Sequence, residues 1–415
     1  MIINKGCSEI MRIAVLVFSY YPIDPRVRRE TEALVEAGMS VDLICLRRDT
    51  EPRKEIVNGV SVNRLPLKRK PAGRLRIIWE FFYFIMMSFF RLSLLHLRNW
   101  YKLVHVHNMP DILVFCALIP RLTGAKVILD LHDPMPEVYM SKYTINDLHP
   151  VVRLLRILEK YSIRFSNLVL TPTIACRKLF ISRGCPQDKI HIIMNSPMKS
   201  IFRKSNKKKN KSTGNKDRFH IMYHGTFVDR NGLDVALMAI NNLREIIPNL
   251  EFHAYGEGES VGRFKELLGK LDLRNIVTYH YHVPQTTIAE AIESIDVGII
   301  PNRQDPFTEL NLPTRIFEYL SMGKPVIAPK TKGILDYFDE ESLLFFEPGN
   351  ADSLADVIFE VYNNPSKSQA VLNRGINNYQ KHPWELEKKK LIDLVTDLLR
   401  TNVNNSTHKI NSDKK

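Results

Sequence analysis

The chain has 415 residues, 44% of them hydrophobic and 25% charged, and 59 Lys and Arg against 45 Asp and Glu leave a net charge of +14. That length exceeds one ordinary core and predicts two domains, and the globular composition excludes a disordered, collagen-like or polytopic membrane chain. Five scattered cysteines, Cys7, Cys45, Cys116, Cys176 and Cys185, form no C-x-x-C pair, so a reduced, cytoplasmic setting is expected and a disulfide framework is not.

The excess charge is local. Arg64 to Arg76 holds six basic residues and no acid, and Arg203 to Lys216 holds seven and no acid, together thirteen of the fourteen excess charges. Both runs read as loops without aromatic or groove-reading elements, so no nucleic-acid partner is expected.

Met1 to Ile10 lacks a basic region followed by an apolar one, and no signal peptide is expected. Ile13 to Val17 reads as a buried parallel strand, and Asp24-Pro25 opens a helix, Asp as N-cap and Pro in its first turn. Gly38 ends that helix, and Val41 to Leu46 is the next strand. Val104 to His107, Lys126 to Asp130 and Leu168 to Thr171 continue the alternation with helices between them.

Ile77 to Leu97 is the most apolar stretch. It contains Glu80 and Arg91, which makes it a poor spanning helix. At 100° per residue, Arg76, Glu80, Met87, Arg91 and Arg98 share one narrow stripe. Two readings stand: a helix packed on the sheet of the first domain, or a helix lying in an anionic membrane surface with the basic run before it, making 64–98 a peripheral attachment.

After the basic linker at 203–217, strands are expected at Phe219 to His224, Leu250 to Gly256, Ile276 to Tyr281, Val297 to Ile300, Pro325 to Ala328 and Leu343 to Phe346. Leu233, Leu237, Ile240, Leu243 and Ile247 lie on one helical face between the first two. Strand–helix alternation implies parallel sheets with right-handed crossovers. The chain therefore reads as two Rossmann-like, doubly wound α/β domains, 11–202 and 218–383, facing a cleft. A last helix at 384–400 crosses back to the first domain, and a disordered tail follows at 401–415. Ligands in such folds bind at the carboxyl ends of the strands.

The strongest local signal is the run from Leu312 to Ala328. Pro313 and Thr314 start a helix that Gly323 ends, and an uncapped helix start offers free N–H groups and positive dipole to a phosphate. Arg315 in that first turn opposes the dipole, a conflict a bound anion removes. Glu318, one turn on, is placed to accept from a sugar hydroxyl; a plain surface pair between Arg315 and Glu318 is the alternative. His224 to Gly232 joins a strand to a helix, with Gly225 permitting close approach of backbone and Arg230 offering charge. In the first half, Asp130 to Glu137 places His132, Asp133 and Glu137 after a strand end. Arg26, Arg28 and Arg29 crowd a helix start against its dipole, which fits either an anionic ligand across the cleft or a solvated face. His105 and His107 face one side of a strand near His132 and Asp133, but the spacing matches no standard zinc motif and no metal site is expected.

On the segments Asp24 to Glu30, Asp130 to Glu137, Tyr223 to Gly232 and Leu312 to Ala328, the chain resembles the family 4 retaining glycosyltransferases of two-domain GT-B architecture, from Arg12 to about Arg400. The resemblance implies sugar transfer with retention from a nucleotide-sugar donor, UDP- or GDP-linked, to a glycan or lipid-linked glycan in surface polysaccharide or glycolipid synthesis, without a required cofactor. It implies a donor side of Gly225, Thr226, Arg230, Val283, Glu309, Pro313, Thr314, Arg315 and Glu318, with Glu318 on the ribose and Val283 at the base. His132 lies beside the transferred sugar, and Asp24, Arg26, Asp133 and Glu137 form the acceptor side. The chain departs from the family pattern in three places. The family's two glutamates have seven residues between them, but Leu310 holds that position and Glu309 stands one place earlier. The usual diphosphate-binding Arg and Lys are Thr226 and Asn231, which leaves Arg230 and Arg315 as the cations. Ser19 to Ile23 replaces a glycine-rich loop. An epimerase or hydrolase of the same architecture, and a non-catalytic polybasic membrane-surface protein, are the alternatives.

Overall fold

A computed structural model describes residues 11–68, 73–203 and 218–412, without the side chains of 74, 75 and 401–412. Most of the linker, 204–217, and the centre of the first basic run, 69–72, lie outside the described residues.

The first domain is built on eight strands: β1 Arg12–Leu16, β2 Ser40–Leu46, β3 Lys54–Val57, β4 Val60–Leu65, β5 Leu103–His107, β6 Lys126–Asp130, β7 Leu168–Thr171 and β8 Ile190–Ile192. They lie in the order β3-β4-β2-β1-β5-β6-β7-β8, and only β3 runs antiparallel to its neighbour. The second domain has six parallel strands, β9 Phe219–His224, β10 Leu250–Tyr255, β11 Val277–His280, β12 Val297–Ile299, β13 Val326–Pro329 and β14 Leu344–Phe346, in the order β11-β10-β9-β12-β13-β14. Both central strands, β1 after Arg12 and β9 apart from His220, are buried on both faces, as a sheet covered by helices on each side requires. In each sheet the strand order reverses at the first strand, which leaves a crevice at the carboxyl ends.

The local chemistry follows the residues. Asp24 caps the helix Pro25–Glu36 by accepting from the Arg26 N–H, and Gly38 leaves it at a φ of 85°. The sequence reading missed β3, β4 and β8; β3 and β4 form a hairpin around Asn58-Gly59, both at positive φ, the turn chemistry such hairpins favour.

The helix Arg74–Asn99 packs on the first sheet through Phe84, Leu92 and Leu95. Its polar stripe is partly turned inward. Glu80 is buried beside Arg76, and Arg91 donates to Asn63 at 2.7 Å, while Trp79, Phe82 and Phe90 face outward.

The helix Trp384–Ser412 returns to the first domain, where Leu391 and Val395 are fully buried in the core beneath β1. Its start is held to the first domain, where Glu387 accepts from the Met194 N–H at 3.0 Å; just before it Ser196 Oγ donates to the His382 carbonyl across the domains, and Arg29 donates to Ser196 O and Asn195 within the first domain. The tail expected from Thr401 is instead helical to Ser412. No Gly or Pro interrupts 384–412, so nothing in the backbone chemistry stops the helix at Arg400.

Truncating Leu391 to Ala is expected to destabilise the chain by about 2–5 kcal/mol, read as a lower denaturation midpoint. An unchanged midpoint would mean the returning helix contributes nothing to the first core.

Candidate active site

Four of the nine donor-side residues meet at the carboxyl end of β9, and Arg230, Glu309, Pro313, Thr314 and Arg315 lie outside the lining there. There a pocket of about 250 Å³ is lined by Gly225, Thr226, Val283 and Glu318, with His224, Tyr255, Gly256 and His282. Two strand-end turns meet at its floor: a side chain on Gly256, at φ +139°, would strike the Gly225 carbonyl oxygen at 1.9 Å, so only glycine fits. Gly232 begins the next helix at φ +62°, and a side chain there would strike Pro301 O at 2.0 Å.

His224, the last residue of β9, organises the site. Its Nε2 lies 2.6 Å from Glu318 Oε2 and its Nδ1 3.0 Å from the Tyr319 hydroxyl, which donates to Met222 O at 3.0 Å. Its own carbonyl accepts from Arg315 at 2.9 Å, and the Arg315 guanidinium lies over the Tyr223 ring at 4.8 Å. The dipole conflict of Arg315 is thus met locally, because the side chain turns from the start of the helix Thr314–Ser321 to a strand-end carbonyl. Burial is the main influence on the Tyr319 hydroxyl and pushes it well above the usual phenol range, which keeps it a donor. Pro313 caps the helix without a side-chain bond, and with the Ile316 N–H turned back to the Pro313 carbonyl at 3.0 Å, the Thr314 and Arg315 N–H groups are left for other acceptors.

Arg230 is half-buried, with its guanidinium 5.0 Å from the Phe307 ring centre. Glu309 lies outside the pocket lining. Its carboxylate accepts from Gln304 at 3.1 Å and from the Lys332 N–H at 3.4 Å, on the loop that meets the first domain through Asp305–Ser141 at 2.6 Å and Leu310–Thr173 at 3.2 Å.

Across the cleft, the ends of β5 and β6 hold a buried group of three imidazoles and two carboxylates. His107 faces Asp130 in register, the rings of His105 and His107 stack at 4.4 Å, and His107 Nδ1 lies 2.9 Å from His132 Nε2. Asp130 Oδ2 lies 3.4–3.6 Å from all three, and Glu30 Oε2 lies 3.6 Å from His105. Burial pushes the Glu30 carboxyl well above its usual range, with Asp130 adding to it. Burial also raises Asp130, but His132, His105 and His107 around it outweigh that and hold it ionised. Burial lowers His105 to about 4 and His132 to about 3, so both rings are neutral at neutral pH. Ligand atoms of Glu30, His105, His107 and Asp130 lie within 4.8 Å of one another, a composition that would also suit a cation. The His107–His132 contact gives the same group a hydrogen-bonded role: it fixes the ring of His132 at the cleft.

Arg26 sits between Asp24 at 3.2 Å and Asp133 at 3.6 Å, beside His132. Burial raises the Asp24 carboxyl, but Arg26 more than offsets this and holds it well below the usual range. The structure therefore brings Asp24, Arg26, His132 and Asp133 together. Glu137 stands apart. It is buried in a pair with Arg183, which also binds Glu159, and it takes no place among the acceptor-side groups. The sequence reading missed His224, Tyr319, Asp130 and Glu30. For His224 the available signal was its place directly before a glycine turn.

Residues 23–196 match the family described as Glycosyl transferase 4-like domain, and residues 204–378 match Glycosyl transferases group 1. The chitobiosyldiphosphodolichol beta-mannosyltransferase of Candida albicans is 22% identical over 333 residues, 76% of this chain and 72% of that protein. The D-inositol 3-phosphate glycosyltransferase of Thermomonospora curvata is 21% identical over 391 residues, 88% of this chain and 87% of its own. Among solved structures, sucrose-phosphate synthase from Thermosynechococcus elongatus is similar with a TM-score of 0.79 at 18% identity, over 94% of this chain and all of that one. Anabaena HepE in complex with UDP-glucose gives 0.70 at 16%, over 93% and 100%.

The neutral buried imidazoles make stability pH-dependent. His105 has a folded value of about 4 against an ordinary 6.5, so the unfolded chain binds its proton first as pH falls, and this contribution is lost between those values. Glu30, raised, acts in the opposite sense, so the test is a difference. The stability advantage of the native chain over His105→Gln should shrink by roughly 2–3 kcal/mol from pH 7.5 to 4.5. Denaturation curves showing a constant difference would contradict a neutral His105.

Proposed function

We propose, for a chain that belongs to the glycosyltransferases of GT-B architecture, that it moves a hexose with retention from a UDP- or GDP-sugar to a glycan or lipid-linked glycan acceptor. The observation that carries this reading is the pocket where Glu318, Gly225, Thr226 and Val283 meet beside Arg315, at the carboxyl end of β9. The base lies against Val283 and the ribose on Glu318, whose orientation His224 fixes. The similar HepE chain was solved in complex with UDP-glucose, which supports a nucleotide-sugar as donor. The dolichol-diphosphate acceptor named for the Candida protein supports a lipid-linked acceptor.

The difficult step is departure of the nucleoside diphosphate, which gathers negative charge as the sugar becomes positive. Arg230, Arg315 and the open start of the helix Thr314–Ser321 meet that charge, each donor worth about 3 kcal/mol in comparable sites. On this reading no bound metal is required. His132, neutral and fixed by His107, contacts the reacting sugar. Retention is supported by the state of the facing carboxylates. Asp24 and Asp133 are both held by Arg26, and Asp24 is too weak a base to activate an acceptor from the opposite face. The departing nucleoside diphosphate itself is then the nearest base, which favours attack from the face it leaves.

A cytoplasmic setting is supported by Cys45, Cys116, Cys176 and Cys185, all buried and unpaired. A lipid-linked acceptor is met at a membrane, and the reading assigns 64–98 to that contact.

Arg230→Ala is expected to lower kcat/KM by about 10²–10³, with part recovered in Arg230→Lys; unchanged transfer would remove Arg230 from the mechanism. Thermal shifts with UDP and GDP identify the base, since a ligand at about 100 times its Kd stabilises by ~2.7 kcal/mol. NMR of the product should show the donor's anomeric configuration, and the opposite configuration would overturn retention.

A further inference from the structure

The outer side of the first domain is chemically unusual. The helices Arg74–Asn99 and Pro150–Phe165 flank the short helical turn Asp111–Ala117 on one face of the sheet. All three pack onto the same core, through Phe84 and Leu92, through Leu113 and Val114, and through Ile163. Their opposite sides face away from that core. On the longer helix that side carries Ile78, Trp79, Phe82, Phe90, Leu94 and Leu97, each more than half exposed. On the second it carries Leu154, Ile157 and Tyr161, also more than half exposed.

The charges are sorted in the same way. The two helices contain two acids among their described side chains, Glu80 and Glu159, and both are buried and paired, with Arg76 and Arg183. The charged side chains left exposed on them, Arg76, Arg98, Arg153, Lys160 and Arg164, are all basic. A helix that turns its glutamate inward and its tryptophan and phenylalanines outward is inverted relative to one facing water. Two apolar helix faces whose own exposed charges are all positive complement a layer that is apolar inside and negative at its face.

We propose that these two helices together form a docking surface for an anionic lipid bilayer, with the domain lying on the membrane and both helices parallel to its plane. The proposal deepens the reading of a lipid-linked acceptor and rests on that reading for its purpose, though not for its chemistry. The longer helix has the length and hydropathy to span a bilayer. In this fold it does not cross one, because Phe84, Ser88, Leu92 and His96 on its inner side are buried against the domain. The aromatic side chains enter the headgroup–acyl boundary, and the arginines and lysines meet lipid phosphate.

The test uses the full chain and vesicles of phosphatidylcholine alone or with about one third phosphatidylglycerol. Binding is expected to the anionic vesicles, to weaken with salt, and to shift tryptophan emission to the blue. Phe82→Glu with Phe90→Glu should weaken vesicle partitioning at least tenfold. Arg153→Glu with Lys160→Glu should do so on anionic vesicles alone. These positions are exposed, so thermal shift with the nucleotide found to bind should be unchanged in both variants, which separates this surface from the active site. Undiminished partitioning in the Arg153/Lys160 variant would overturn the two-helix surface. A dimer in solution that the Phe82/Phe90 variant dissociates, with no vesicle binding at any salt, would assign the face to a second copy of the chain.

Discussion

The candidate site on the second domain depends on one residue holding three bonds at a strand end. His224 closes β9, and its ring and carbonyl together take up Glu318, Tyr319 and Arg315, all from the helix Thr314–Ser321. Parallel strands leave their last carbonyls without ladder partners, and a cation from the next helix meets that need here. The same bond places the Arg315 guanidinium beside Gly225 at the edge of the pocket. Structural satisfaction and electrostatic preparation are therefore a single arrangement, and the protein's own groups set the shape of the pocket.

Much of this was legible in the sequence because parallel sheets write themselves plainly. Continuous runs such as Ile13 to Val17 and Phe219 to His224 have nowhere to go but a doubly covered sheet, and Asp24-Pro25 and Gly38 punctuate a helix at both ends. The hairpin at Asn58-Gly59 carried a turn signal too, but its strands are short and β3 is half-polar, so periodicity said little. The site was legible where chain distance is short, as with Arg315 and Glu318 on one helix. It was not where the partner lies far off: Glu318 meets a histidine 94 residues away, and Glu30 meets His105 through the fold alone. Glu137 misled for the complementary reason. A carboxylate after a strand end looks functional until Arg183, remote in sequence, claims it.

The two sides of the cleft use charge differently. Around Glu318 the groups are buried and paired with one another at the edge of a pocket. Around Asp130 burial raises both carboxyls, and Asp130 alone is brought back down, by the three imidazoles around it, while Glu30 stays raised. A buried, self-paired wall around Asp130 faces a side whose lining bounds an open pocket.

The returning helix has an effect on the order in which the molecule can be made. Leu391 and Val395 complete the core beneath β1, although nearly the whole length of the chain separates them from that strand. During synthesis the first domain must therefore wait, with an apolar groove beside Ile13 and Val15 uncovered, until the second domain and its final helix have emerged. The second domain's sheet can close earlier, since β9 to β14 and their helices are contiguous in the chain. A helix that follows the second domain in the chain finishes the core of the first, so the step that commits both halves to one structure comes after both sheets have been made.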